Sequence, residues 1–210
     1  TYGGDTEWYI AAAEGKFHEL IQPYSARFLH PFLVGFLAKL FSLTIEQSFL
    51  VIGVFSVFLF LILNSVILKK TINLKPVLLF PLFFSPYFLL IIREVFEPDA
   101  FYIFLTSLFF LFLLYEKEIV LLLTFFLLFL TRETTSLLGV ILALVNWFKQ
   151  KKRFAIVIFI VMVISMYLGG VLNSIGKPNI HNLNSSVYLI AKVSFNFLTN
   201  VLGVKPWANT

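Results

Sequence analysis

The side chains in this chain that are best suited to chemistry are two carboxylates of a polar N-terminal stretch, Asp5 and Glu7. Very apolar segments follow this stretch, and acidic residues beside a membrane-embedded bundle are costly unless they have a function. A carboxylate at the rim of an accessible pocket can act as a general base toward a hydroxyl or an amine. The pair can also supply oxygen ligands to a divalent cation. The alternative is a solvated loop in which Asp5 caps a helix that begins at Thr6.

Two further groups of polar residues carry positive charge. Arg27 and His30 are three residues apart just before Pro31 and share one face if this segment is helical, where they can meet a phosphate or a sugar hydroxyl. In the alternative, Arg27 binds lipid headgroups and the hydrogen bonds of His30 are made to nearby groups. Arg132 and Glu133 lie between two helices that are too short to carry them into water, so we predict that they belong to a functional site. Their alternative role is a self-neutralising structural pair.

A loop between two predicted spans concentrates four charges in seven residues: Arg93, Glu94, Glu97 and Asp99. A binding pocket here would use Arg93 for an anion and one of the acids for a metal ion or a substrate. In the alternative reading, Arg93 and Glu97 pair with each other and the loop has no ligand.

Composition restricts the class of protein. Of the 210 residues, 60% are hydrophobic and 27 are Phe, which is too much apolar surface for the core of a soluble domain. The apolar runs lack the polar alternation of an outer-membrane barrel, so the spans are expected to be helices. The chain contains no Cys, which excludes disulfides and thiolate catalysis within it. It also contains no P-loop, no GxGxxG, HExxH or GxSxG motif and no nucleic-acid signature.

We therefore predict an all-α fold, a polytopic transmembrane helical bundle with about six spanning helices and two short extracytoplasmic or interfacial helices. The predicted spans are 48–68, 77–92, 100–115, 119–130, 135–148 and 154–172. A capping box, Thr44 to Gln47, opens the first span. The short helices cover about 6–14 and 32–41, the second beginning after Pro31.

Lysines set the predicted orientation in the cytoplasmic membrane. They occur in alternate loops, which the positive-inside rule places in the cytoplasm: Lys69, Lys70 and Lys75, then Lys117, then Lys149, Lys151 and Lys152 with Arg153. Residues 1–47 then form an extracytoplasmic loop, 48–172 the bundle, and 173–210 an extracytoplasmic segment that leads to a further helix. We expect the protein to continue at both ends. The turn 131–134 should lie below the outer membrane surface because both helices beside it are short.

This layout resembles the GT-C superfamily of polytopic glycosyltransferases, which use polyprenyl-phosphate-linked sugars. The resemblance is carried by an Asp early in the first external loop, by two short non-spanning helices, by Arg27-Phe-Leu-His-Pro31 and by Thr-Arg-Glu at 131–133. It implies that Asp5 is the catalytic base and that Glu7 is the second acid present in some members. It also implies an inverting transfer in which Arg132 holds the donor phosphate, with Glu94, Glu97 and Asp99 in a second external loop.

The resemblance implies a polyprenyl-phosphate-linked sugar donor and membrane lipid as partners, with no nucleic acid. It leaves the sugar, the acceptor, the oligomeric state and the use of a divalent cation open. Two other functions remain possible from sequence. A transporter or lipid flippase would line its path with ionisable residues such as Arg132 and Glu133. A polysaccharide polymerase or ligase would also have polar outer loops.

Overall fold

The computed structural model describes residues 5–20, 24, 27–72, 97–132 and 134–175, all within one compact unit, Thr1–Lys177. These residues form seven α-helices and no strand, which confirms the all-α class. The α-helices are α1 (Thr6–Ala13), α2 (Leu29–Phe41), α3 (Ile45–Ile72), α4 (Asp99–Leu114), α5 (Glu118–Thr131), α6 (Thr135–Phe148) and α7 (Lys152–Ile175), and a 3-10 turn spans Phe17–Glu19.

The predicted helices match the observed ones wherever the structure describes them, apart from shifts at their ends. The capping box before α3 is present: the Thr44 N–H donates to Gln47 Oε1 at 3.0 Å, and the Gln47 N–H donates to Thr44 Oγ1 at 3.2 Å. Helix α2 begins at Leu29, three residues before the predicted start, with Pro31 inside its first turn. The predicted span 77–92 and nearly all of the segment 173–210 lie outside the described residues.

Among the described residues, two helices are long and apolar enough to cross a membrane: α3, and the part of α7 from Lys152 to Gly169. The most apolar 18-residue window of α3 has a mean hydropathy of 2.7, yet only 11% of it is buried inside the protein. Helices α2, α4, α5 and α6 are apolar but shorter. The count of six spans therefore stays a prediction.

Helices α3 and α4 pack side by side and run in the same direction. His30 contacts aromatic rings in the first two turns of both helices. Further along, Asn64 Nδ2 donates to Ser107 Oγ at 2.7 Å, and at the far end Lys70 Nζ lies 3.4 Å from the centroid of the Tyr115 ring. The contacts follow the same order along both helices. This parallel order is what the topology predicts, because a single predicted span, 77–92, separates α3 from α4.

Two close approaches fix how neighbouring helices pack. Gly35 in α2 lies so near α1 that a Cβ at this position would overlap the carbonyl oxygen of Ala13. Gly139 in α6 likewise faces the Phe125 ring of α5 with no room for a methyl group. Small residues allow backbones to come together in this way where the surroundings are apolar. Helix α1, and with it the N-terminal polar stretch, is thereby held on the bundle.

Candidate functional site

Asp5 immediately precedes α1, and its carbonyl accepts hydrogen bonds from the N–H groups of Trp8 at 3.2 Å and Tyr9 at 3.4 Å. Its side chain makes no capping hydrogen bond to the helix. Instead, the exposed carboxylate accepts a hydrogen bond from the Tyr24 hydroxyl, and burial together with this bond raises the pKa of Tyr24 well above its ordinary value. The Asp5 carboxylate is thus turned toward Tyr24. In the alternative, it would have capped the helix that begins at Thr6.

Tyr24 is the centre of an aromatic cluster that joins Asp5 to Arg27. Its ring stacks on Trp8 with centroids 6.3 Å apart and meets the edge of Tyr9 at 5.6 Å. The guanidinium carbon of Arg27 lies 5.6 Å from the Tyr24 centroid, and Arg27 Nη1 donates to the Tyr9 hydroxyl at 3.2 Å. A continuous set of contacts therefore runs from the acid to the first cation.

The Tyr9 hydroxyl connects this cluster electrostatically to a third part of the chain. Burial raises the pKa of Tyr9, while the positive charges of Arg27 and Arg132 lower it and the charge of Glu97 raises it further. Arg132 and Glu97 therefore act electrostatically on the Tyr9 hydroxyl although they lie far from it in sequence.

Arg132 directly follows α5 and is held by an ion pair with Asp99 at the start of α4. The two side chains are 28% and 21% exposed, so the pair is mostly buried. The Arg132 guanidinium also lies above the Tyr102 ring, 5.9 Å from its centroid. Its Nε is buried and has no hydrogen-bond partner among the described residues, so this cation retains a donor.

Local chemistry explains why the chain turns at Arg132. The Arg132 N–H still donates to Leu128 at 2.9 Å, but its backbone is extended, with φ −149° and ψ 127°. The fully buried Thr135 then begins α6, and its Oγ1 lies 3.2 Å from the Leu128 carbonyl and 3.3 Å from the Tyr102 hydroxyl. The turn is thus built from side chains that bond across it, and the predicted break between the two short helices is confirmed.

His30 and Glu7 occupy different surroundings from this cluster. His30 is 1% exposed, with its ring 5.6 Å from Phe101 in a stacked arrangement and 5.3 Å from Phe49. Burial lowers the pKa of His30 to about 3, so the imidazole is neutral. It lies in the core, whereas sequence suggested that it shares a surface with Arg27. Glu7 is exposed in the first turn of α1.

The remaining predicted residues are divided between the described and undescribed parts of the chain. Arg93, Glu94 and Glu133 lie outside the described residues. Within the described ranges, no three His, Asp or Glu side chains are grouped closely enough to hold a metal ion. The structure thus links Asp5 to Arg27 through Tyr24, and Arg132, which is paired with Asp99, acts electrostatically on Tyr9.

Three residues of this arrangement were not predicted as site residues: Tyr9, Tyr24 and Tyr102. Their phenol rings carry no charge, so a search for ionisable chemistry passes over them. The only signal in the sequence is the density of aromatic residues within otherwise polar stretches, as in Trp8 and Tyr9 beside Asp5. Tyrosine is suited to such positions because its ring packs while its hydroxyl bonds.

No protein-family model, no curated protein and no solved structure matches this chain. The likeness to the GT-C superfamily therefore rests on the residues and the layout alone, and function has to be argued from the site.

Proposed function

We propose that the protein is a multi-pass membrane glycosyltransferase that moves a sugar from a polyprenyl-phosphate donor to an acceptor on the extracytoplasmic face, with inversion. One observation carries this proposal. The exposed carboxylate of Asp5 is joined through Tyr24 and Tyr9 to Arg27, and Arg132 acts on the same tyrosine. An accessible acid beside two cations is what transfer from a phosphate-linked sugar requires.

The position of these residues in the bundle supports a membrane-surface site. Lys70 meets Tyr115 at the end of α4, and Lys117, Lys149 and Lys151 line one cleft, so the lysine-rich turns gather at one end of the bundle. Arg132 and its partners lie at the start of α4, at the opposite end. This two-ended distribution fits the proposed orientation, with lysines in the cytoplasm and the site outside.

The chemistry assigns one role to each group. The acceptor hydroxyl loses its proton to the Asp5 carboxylate while its oxygen attacks the anomeric carbon from the face opposite the phosphate. The bond between the anomeric carbon and the phosphate oxygen breaks, and the polyprenyl phosphate leaves with the electron pair. Arg27 and Arg132 stabilise the charge that develops on this phosphate. The isoprenoid tail lies in lipid, against apolar helices.

The experiment that tests the base is Asp5→Asn. The matched control is Glu14→Gln, because Glu14 is also an exposed acid of the N-terminal stretch and is paired with Lys16 at the surface. Membranes containing each protein are incubated with a panel of radiolabelled polyprenyl-phosphate-linked sugars, and released polyprenyl phosphate is measured. Loss of the base should lower turnover by about 100-fold or more in the Asn variant alone. Equal turnover in both variants would remove Asp5 from the mechanism.

A transporter or flippase is the second candidate, and the mostly buried ion pair of Arg132 and Asp99 is the observation that favours it. Against it, α3 has no charged residue between Glu46 and Lys69. This described helix therefore offers no ionisable side chain within that stretch for transport coupled to an ion or a proton. Reconstituted liposomes separate the two functions. A flippase moves a fluorescent polyprenyl phosphate between leaflets without cleaving it, whereas the transferase requires Asp5 and consumes the sugar-linked donor.

A further inference from the structure

A cavity lies at the lysine-rich end of the bundle, away from Asp5 and Arg132. It has a volume of about 340 Å³ and opens between the last turns of α4 and α6 and the first turns of α5 and α7. Its walls are apolar and include Phe109, Leu138, Ile141, Leu142 and Val145. A neighbouring groove of about 650 Å³ shares Lys151 with it and continues along α7. The cavity and the groove adjoin at Glu118, Lys151 and Phe154, and together they are called the cleft below.

The rim of this cleft is strongly basic. The lining of the cavity and the groove contains five cations, against the two carboxylates of Glu116 and Glu118: Lys117, Lys149, Lys151, Lys152 and Arg153. All of these charged side chains are exposed. Lys152 lies over the Trp147 ring at 5.7 Å from its centroid. Within the described part of the chain, no carboxylate lies within ion-pair distance of Lys149 or Lys151.

We propose that this cleft binds an anionic phospholipid, with the phosphate on Lys149 and Lys151 and an acyl chain along the apolar wall. The basic rim selects a negative headgroup because each cation near a membrane surface attracts anionic lipid. The apolar wall distinguishes a lipid from free phosphate, since Ile141 is 50% exposed and Val145 is 43% exposed and both require an apolar cover. The proposal rests on the membrane placement proposed above and is independent of the transfer chemistry.

The test measures lipids retained by the purified full chain. Native mass spectrometry follows incubation in detergent with equal amounts of phosphatidylglycerol and phosphatidylcholine of identical acyl chains. We expect the wild-type protein to retain phosphatidylglycerol preferentially. The double variant Lys149→Gln, Lys151→Gln should lose about 25-fold of this preference, at about fivefold for each lysine. The matched control is Lys39→Gln, Lys69→Gln, which removes the same charge from exposed positions outside the cleft.

A second pair of variants tests the apolar wall. Val145→Trp fills the cleft and should lower retention of phosphatidylglycerol severalfold, whereas Val163→Trp, at an exposed position of α7 that does not line the cleft, should leave it unchanged. Asp5→Asn should also retain the lipid as the wild type does, so this result is separable from any failure of the transferase proposal.

Any of three results would overturn the proposal: equal retention of the two lipids, a lysine variant that behaves like its control, or displacement of phosphatidylglycerol by inorganic phosphate at the lipid's concentration.

Discussion

His30 makes the stability of the protein depend on pH in a way that one substitution removes. The imidazole is buried between Phe49 and Phe101, and its Nδ1 has no hydrogen-bond partner among the described residues. Burial lowers its pKa to about 3, whereas in an unfolded chain a histidine takes up a proton near pH 6.5. Between these values the unfolded state binds more protons than the folded state. The folded state is therefore fully favoured above about pH 6.5 and loses stability as the pH falls below it.

The size of the effect follows from the proton linkage. Each pH unit below the unfolded pKa costs about 1.4 kcal/mol while the folded imidazole stays neutral. Going from about pH 7.5 to about pH 5 crosses roughly one and a half such units, so His30 alone should remove about 2 kcal/mol of unfolding free energy. His30→Phe keeps an aromatic ring in the slot and cannot be protonated. It should change stability at pH 7.5 by less than about 1.5 kcal/mol.

The measurement is reversible unfolding in mixed detergent micelles, followed by tryptophan fluorescence for the wild type and two variants. His18→Gln is the control, because it removes a histidine whose side chain is 75% exposed and leaves the buried His30 in place. We expect the wild type and His18→Gln to weaken by about 2 kcal/mol more than His30→Phe over this pH range. Parallel curves for wild type and His30→Phe would refute the reasoning, since they would mean that the folded imidazole accepts a proton.

The other predictions concern the cation, the helix crossing and the topology. Arg132→Ala should weaken binding of the polyprenyl-phosphate donor by about tenfold or more, as measured by equilibrium binding in detergent. Gly35→Ala should destabilise the fold by about 1 to 3 kcal/mol, measured in the same unfolding assay, because the added methyl meets the backbone of Ala13. Single cysteines placed at Ile72 and Gln150 should react with a membrane-impermeant maleimide only from the cytoplasmic side.

Two of these predictions have a control within the chain. A cysteine at Glu14 should label only from the outside, and the chain's lack of native cysteine makes each label unambiguous. Gly139→Ala meets the far end of the Phe125 side chain, which can shift more easily than the Ala13 backbone, so it should cost less than Gly35→Ala, and the reverse order would contradict the packing argument. Donor affinity that is unchanged by Arg132→Ala would take this residue out of the site. Outside labelling at residue 72 or 150 would overturn the topology.

The helix positions could be predicted because apolar runs and charged breaks are local signals. The break at Arg132 is an example, since merging α5 and α6 would place a charge in the middle of an apolar helix. The packing face of α2 could not be predicted in the same way. Leu33, Leu37 and Leu40 form the obvious apolar stripe, but the buried face contains Val34 and Gly35. In apolar surroundings small residues pack against neighbouring helices, so large side chains do not mark the contact face.

The charged members of the site could be proposed from residue type, but their partners could not. Asp5 and Tyr24 meet only because the chain folds back after α1, and nothing in a local pattern specifies that contact. The pairing of Arg132 with Asp99 likewise joins residues 33 positions apart, at the ends of two helices packed in tertiary structure. The charged side chains could be identified from the sequence, but which residues they contact could not.

The shortness of α5 and α6 gives the ion pair its functional meaning. Each helix has 14 residues and so rises about 21 Å, well under the roughly 30 Å of a bilayer's hydrocarbon core. If the lysine-rich ends lie at the cytoplasmic boundary of the hydrocarbon core, the turn at Arg132 would lie roughly 10 Å short of its outer boundary. A guanidinium at that depth is costly unless an anion neutralises it, and Asp99 supplies that anion. A donor phosphate reaching the same depth would offer Arg132 a second anion. In the proposed transferase, Asp99 would therefore hold the cation in place before the donor binds and share it afterwards.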